Sequence, residues 1–315
     1  MTIPTESYLK VQYDLRPAKQ VERRMLVDVL HMLTMAGFPI RDYQYTGFGS
    51  VYFVDFILFH KLLGIRRMLS IEHSQKVKKR VRFNRPYACV DIVIGSASDI
   101  IPTLSPDRKH ILWLDYDDVL CGSQLTDIRL AATYLPPGSI LLMTVDAEPP
   151  GGNNDGPNEW MEHFHEEAGE LARSLDDVTD FRESNLVRVN VQILERAVKA
   201  GLAGRHNVAF TPLFNFVYAD GHRMLTLGGM LTTETERRQI LGSKVTDVHF
   251  VRLDLRKPAY KIRVPRLTRR ERNYLDSMMP CSPRWKPSVF EMPMEDIEAY
   301  REIYPYFPAY AELLL

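Results

Sequence analysis

Apolar positions along this chain change period several times, and each change marks an element. Within 20–35, Val21, Met25, Val29, Leu30 and Leu33 recur at the spacing of a helix with one buried face, and Gly37 and Pro39 stop it. A short strand is expected at 42–45, followed by the glycine turn Thr46-Gly47-Phe48-Gly49-Ser50. Residues 52–63 place Phe53, Phe56, Ile57, His60 and Leu63 at helical spacing, and Gly64 supplies a C-cap. A strand at 66–71 ends on Glu72, and further strands are expected at 90–94, 110–114 and 139–145. Their continuous apolar runs fit the interior of a parallel sheet. A basic helix at 75–84 and a helix at 123–135 connect them.

Later segments break this alternation. Residues 208–218 and 222–231 flank Asp220-Gly221, a strong hairpin signal. Before them lies a Pro/Gly loop at 149–157 and two helical stretches, 159–174 and 185–200. Ten acids between Asp155 and Glu183 stand against Arg173 and Arg182, which makes this an acidic insert with a solvated face. His163 and His165 are two apart and face different sides of a helix, so they are not expected to share a metal. Strands are expected at 248–255 and 260–264, and a helix at 268–278 opened by the capping box Thr268/Glu271. The aromatic end at Tyr304-Pro305-Tyr306-Phe307-Pro308 is expected to pack back on the domain. The organisation is an N-terminal extension and helix (1–40), an α/β domain (41–231, with the acidic insert at 149–205) and a basic C-terminal extension (232–315). The expected fold is α/β: a Rossmann-like, mostly parallel sheet closed by an antiparallel hairpin.

A strand, a Gly-x-Gly turn, a helix and a strand ending in a carboxylate form half of a nucleotide-binding βαβ unit. Glu72 follows Gly49 by 23 residues, close to the roughly 20 such units show. Glycine lets backbone approach a ligand without a Cβ in the way, and the helix start after it offers N–H groups and positive dipole. Thr46, Gly47, Gly49 and Ser50 are therefore candidate cofactor contacts, and Glu72 a candidate acceptor for ribose hydroxyls. Ser98 and Asp99 follow the third strand, where Asp99 also reads as an N-cap. Asp115-Tyr116-Asp117-Asp118 follow the fourth; close carboxylates repel unless a cation or proton relieves them. Asp118 reads as a helix cap, and Asp115 and Asp117 as catalytic candidates. Arg16 and Lys19 read as a solvated helix start or as an anion-binding lip over the ligand mouth.

Composition adds limits. The 315 residues carry 40 basic and 40 acidic side chains, so no global field drives association with nucleic acid or membrane. Charge is nevertheless uneven. Lys76, Lys78, Lys79, Arg80, Arg82 and Arg85 face no acid in their own run, and eleven basic residues between Arg252 and Lys286 face only Asp254, Glu271 and Asp276. Both stretches are solvated faces or nucleic-acid contacts. Cys89, Cys121 and Cys281 form no Cys-x-x-Cys pair, which fits a reducing compartment without structural zinc. No apolar run reaches membrane-spanning length and no apolar signal core opens the chain, so a cytoplasmic protein without membrane association is expected. Composition fixes no oligomeric state.

The order strand, Gly-x-Gly, Glu72, Ser98-Asp99, Asp115 and closing hairpin resembles the class I (Rossmann-like) S-adenosylmethionine-dependent methyltransferases over 40–231. The resemblance implies Gly47 and Gly49 under the methionine part of S-adenosylmethionine, Glu72 on its ribose, and Ser98 and Asp99 beside adenine. It places Asp115 towards the methionine end or the substrate. Tyr45-Thr46 replaces the family's acid before the turn. Tyr52 occupies the third glycine position, which speaks against an NAD(P)-dependent oxidoreductase, where a small residue is wanted. No Pro-Pro-aromatic motif follows the fourth strand, which disfavours methylation of DNA exocyclic amines. Asp115 or Asp117 with Asp146 is similar to the metal-binding acids of catechol-type O-methyltransferases, where Mg²⁺ orients a hydroxyl, although no Asp-Asn pair follows the fifth strand. The resemblance implies methyl transfer to an oxygen or nitrogen nucleophile, the acceptor unnamed. The missing acid favours an alternative, a non-catalytic nucleotide- or nucleic-acid-sensing module.

Overall fold

The computed structural model describes residues 16–151 and 155–308. One sheet of eight strands runs in the order β3-β2-β1-β4-β5-β7-β6-β8. β1 (Gln44–Gly47), β2 (Arg67–Glu72), β3 (Val90–Ile94), β4 (His110–Val119) and β5 (Ile140–Asp146) are parallel. β6 (Ala209–Ala219) and β7 (Arg223–Thr232) form the closing hairpin, with β7 antiparallel to β5. The expected Rossmann-like α/β sheet with its terminal hairpin is present. β8 (Tyr260–Lys261) pairs parallel with β6, so the C-terminal extension contributes the outermost strand.

Helices α1 (Pro17–Met35), α2 (Val54–Leu63), α3 (Lys78–Phe83), α4 (Ala97–Ile100), α5 (Gly122–Tyr134), α6 (Pro157–Ala168) and α7 (Leu186–Leu202) accompany the strands. Alternate residues of β4 and β5 serve opposite faces. Ile111, Trp113, Ile140 and Leu142 pack with α1 and α2, whereas Leu112, Leu114, Leu141 and Met143 pack with α5 and α7. Both faces are covered, which is why these strands read as unbroken apolar runs rather than alternating ones. The C-terminal helices are α8 (Glu234–Leu241), α9 (Arg269–Met278) and α10 (Met294–Ile303). Beyond α10 the aromatic end returns to α1, where Tyr306 Oη donates to Asp28 Oδ2 at 2.8 Å. Among the described residues no helix is long and apolar enough to cross a membrane.

Several expected boundaries shift. Thr46 and Gly47 belong to β1 rather than to the turn, and α2 starts at Val54, two residues later than expected. β4 does not stop at Leu114: it continues through Asp115 to Val119 with an irregular register against β5. Asp118 is therefore in strand and caps nothing. At the start of α5, Gln124 Oε1 accepts from Cys121 N and Glu167 Oε2 from Gly122 N. Ser96, not Asp99, caps α4; its Oγ accepts from Asp99 N at 3.2 Å. α6 ends at Ala168, short of the expected 174, and 248–255 forms no strand.

Candidate functional site at the carboxyl edge of the sheet

The carboxyl ends of β3, β2, β1 and β4 stand side by side, so the glycine turn, Glu72, Ser98-Asp99 and Asp115 share one edge. The turn is tightly built. Phe53 N donates to Gly49 O at 2.7 Å, and Gly49 N donates to Ser70 Oγ at 3.1 Å. A Cβ on Gly49 would lie 2.5 Å from Ser70 Oγ and 2.7 Å from the Phe53 ring; on Gly47 it would lie 2.8 Å from Tyr45 Oη. The protein's own packing thus demands both glycines, a different reason from the ligand clearance expected of them. Ser50 and Phe53 sit at φ of +51°, a left-handed conformation costing roughly 1–2 kcal/mol in a non-glycine residue. Such positions persist where surroundings over-determine them, and they gather at ligand clamps.

Glu72 ends β2, and its Oε1 accepts from Ser74 N at 3.0 Å. This bond orients the Glu72 carboxylate, a group with about four lone-pair sites. Beyond the neighbouring strand β3, at the start of α4, Ser96 Oγ lies 3.0 Å from Ser98 Oγ and donates to Asp99 Oδ2 at 2.6 Å. Ser98 and Asp99 are thus held by Ser96, a residue the sequence reading left without a role. Across the edge, the Phe48 and Tyr116 rings are 5.3 Å apart, and Tyr116 Oη donates to Asp127 Oδ2 at 2.6 Å.

Asp115 is the centre of a buried charge cluster supplied largely by α1. Lys19 Nζ donates to Asp115 Oδ1 at 2.7 Å and stands 2.9 Å from Glu22 Oε2, out of line for a hydrogen bond. It also lies 4.4 Å from the Trp113 ring centroid. The Lys19 side chain is 0% exposed, so neither a solvated helix start nor an anion-binding lip describes it. Burial works to lower its pKa, but Asp115 and Glu22 together raise it above the ordinary lysine value. Burial likewise works to raise Asp115, and the charge and hydrogen bond of Lys19, with Arg23 and Arg16, bring it below the usual carboxylate range. Glu22 goes the other way: its burial outweighs Lys19 and raises it. Arg23 Nε donates to Asp55 Oδ1, tying α1 to the first turn of α2. Arg16 reaches Asp117 at 3.8 Å.

The hairpin turn fixes where α1 begins. Asp220 Oδ1 accepts from Ala18 N at 3.0 Å and Oδ2 from Lys19 N at 2.9 Å. This carboxylate caps the helix from 201 and 202 residues along the chain, because Arg16 at the N-cap position supplies no side-chain cap. Beside it, His222 Nδ1 lies 3.3 Å from Asp146 Oδ2 at the end of β5. Burial raises the Asp146 pKa, against lowering by the Glu148 backbone and His222.

The donor set does not suit Mg²⁺. Each of the three candidate carboxylates already faces a basic side chain: Asp115 faces Lys19, Asp117 faces Arg16, and Asp146 faces His222. Among the described residues no group of three or more His, Cys, Asp or Glu side chains is gathered as a metal site. His163 and His165 point instead at the carbonyls of Leu120 and Leu175.

No curated protein matches the chain. Among solved structures, an O-methyltransferase from Bacillus cereus in complex with SAH is similar at 15% identity and TM-score 0.40, covering 73% of this chain and 93% of that one. The fibrillarin pre-rRNA processing protein of Methanococcus jannaschii is similar at 11% identity and TM-score 0.37, covering 62% and 68%. The O-methyltransferase TomG from Streptomyces achromogenes, solved with SAM, is similar at 16% identity and TM-score 0.36, covering 65% and 79%. These likenesses are too distant to place a substrate or a residue. A family model described as "Putative O-methyltransferase" matches residues 11–315, and the chain belongs to that family.

Proposed function

We propose that this protein transfers the methyl group of S-adenosylmethionine to an acceptor hydroxyl. The observation that carries this reading is the shared edge of β1–β4, where Glu72 stands oriented at the tip of β2 beside a rigid glycine turn, in a chain of this family. Glu72 would accept the ribose hydroxyls, and Ser98 and Asp99 would border the adenine. Thr46 and Gly47 at the end of β1, with Gly49 and Ser50, would form the floor under the methionine part. The bound group would supply an activated methyl carbon. The protein's part is positioning and desolvation.

Asp115 takes the place of the acid missing before the turn. Its Oδ1 holds Lys19, while Oδ2 makes no hydrogen bond among the described residues and can face the methionine ammonium. A carboxylate held below its usual range is a poor proton acceptor, so Asp115 orients rather than deprotonates. His222, whose Nδ1 stands 3.3 Å from Asp146 Oδ2 at the neighbouring strand end, would take the acceptor's proton. Asp117, exposed enough to meet an acceptor and offset by Arg16, lines the entrance.

Calorimetry of the full chain with S-adenosylmethionine, NAD and ATP tests the reading. Binding of S-adenosylmethionine with no heat from NAD is expected. Binding of NAD or ATP alone would contradict it.

A further inference from the structure

The segment after Glu72 leaves the strand tip as a short turn, Gln75–Val77, and continues as α3. Val77 and Val81 enter the core at 6% and 0% exposure, so packing consumes its apolar face. Lys76, Lys79, Arg82 and Arg85 face outward with Lys78 half-buried, and the Phe83 ring is 88% exposed. These five cations have no acidic partner among the described residues. In a chain of zero net charge this is a local concentration, adjoining the proposed cofactor carboxylate. The other basic stretch differs. There Arg256 pairs with Asp254, Arg263 with Glu295 and Asp296, and Arg272 approaches Asp276. Its strand, β8, is at the opposite edge of the sheet from β2 and β3.

We infer that the α3 surface docks single-stranded nucleic acid, with backbone phosphates on the cations and a base stacked on Phe83. An exposed ring among cations suits a polyanion with planar faces, since every base can stack on it. A bilayer is the poorer fit. Interfacial helices insert a free apolar face, and here that face is buried in the core. The inference reaches beyond methyl transfer and stands apart from it.

The test is fluorescence anisotropy of the full chain with labelled single-stranded oligouridylate and oligothymidylate. Phosphate contacts on single strands contribute a slope of about −0.7 each, so five of them weaken binding about a hundredfold between roughly 50 and 200 mM salt. Lys79→Glu and Arg82→Glu should flatten that slope. Phe83→Ala should weaken binding about fivefold to a hundredfold and keep the slope. Equal binding of both oligomers assigns recognition to phosphate and base; a preference for one adds the ribose hydroxyl and the thymine methyl, which together distinguish the two, and each of these outcomes supports the inference. It is overturned if neither oligomer binds at the low salt concentration, or if binding ignores all three substitutions. It is equally overturned if phosphatidylserine vesicles bind instead and lose their hold with Phe83→Ala.

Discussion

Lys19 Nζ and Asp115 Oδ1 meet at 2.7 Å across 96 residues of sequence. The contact joins the helix that precedes the sheet to the strand that carries the candidate site. Removing one member of a buried pair strands the other charge and costs about 3–5 kcal/mol, whereas replacing both by apolar groups is often neutral. Lys19→Met should therefore destabilise the fold by about that amount, and Lys19→Met with Asp115→Leu should recover most of it. Urea denaturation of both variants measures this. A single variant as stable as the parent would show that the pair does not hold α1 to β4.

The same pair sets a pH dependence. Asp115 is depressed in the folded state, so its contribution is fully present above the unfolded carboxylate value of about 3.9 and is lost as pH falls through the lower folded value. The stability gap between the parent and Asp115→Asn should be full at neutral pH and should close as pH drops below that point. Melting temperatures across the acid range check it; a gap independent of pH would contradict the assignment.

Asp220 caps α1 through two backbone N–H groups. Replacing such a cap by alanine costs roughly 0.5–2 kcal/mol, so Asp220→Ala should lower stability by about 1 kcal/mol. Because α1 also delivers Lys19, the variant should lose stability by denaturation and weaken the hold on Asp115. Unchanged denaturation would mean the cap is redundant.

Gly49→Ala separates two meanings of a glycine. The added Cβ would meet Ser70 Oγ and the Phe53 ring, and overpacking of this kind costs typically about 1–3 kcal/mol. The melting temperature should fall without any ligand present. A variant that melts like the parent, and fails only in cofactor binding, would restore ligand clearance as the reason for the glycine.

Much of this fold is legible in the chain because both faces of the sheet are covered, which writes the central strands as apolar runs, and because Asp220-Gly221 announces the hairpin. The charge cluster is not legible, for a physical reason. Lys19, Glu22 and Arg23 lie at the i, i+3, i+4 spacing of the buried face of α1, but charged residues read as solvent-facing until their partners are known. Those partners, Asp115 and Asp55, lie in distant elements. Asp220 looked like turn chemistry alone, since its second task is on a helix two hundred residues earlier. Asp115 looked like loop because acids seldom extend a strand; its pairing with Lys19 permits it. The glycine turn is legible as a position, and the packing of Ser70 and Phe53 against Gly49 adds a cause the sequence does not show, because sequence shows that a side chain is missing and not what would have met it.

The ribose site is the central claim, and Glu72 tests it most directly. Charge-assisted hydrogen bonds contribute about 1.5–3 kcal/mol each, and about 1.4 kcal/mol corresponds to tenfold in affinity. Calorimetric titration of S-adenosylmethionine into Glu72→Ala should show binding weakened at least about tenfold in a chain that melts like the parent, with Glu72→Gln between the two. A Glu72→Ala protein that binds S-adenosylmethionine as tightly as the parent would contradict the placement of the cofactor along this edge.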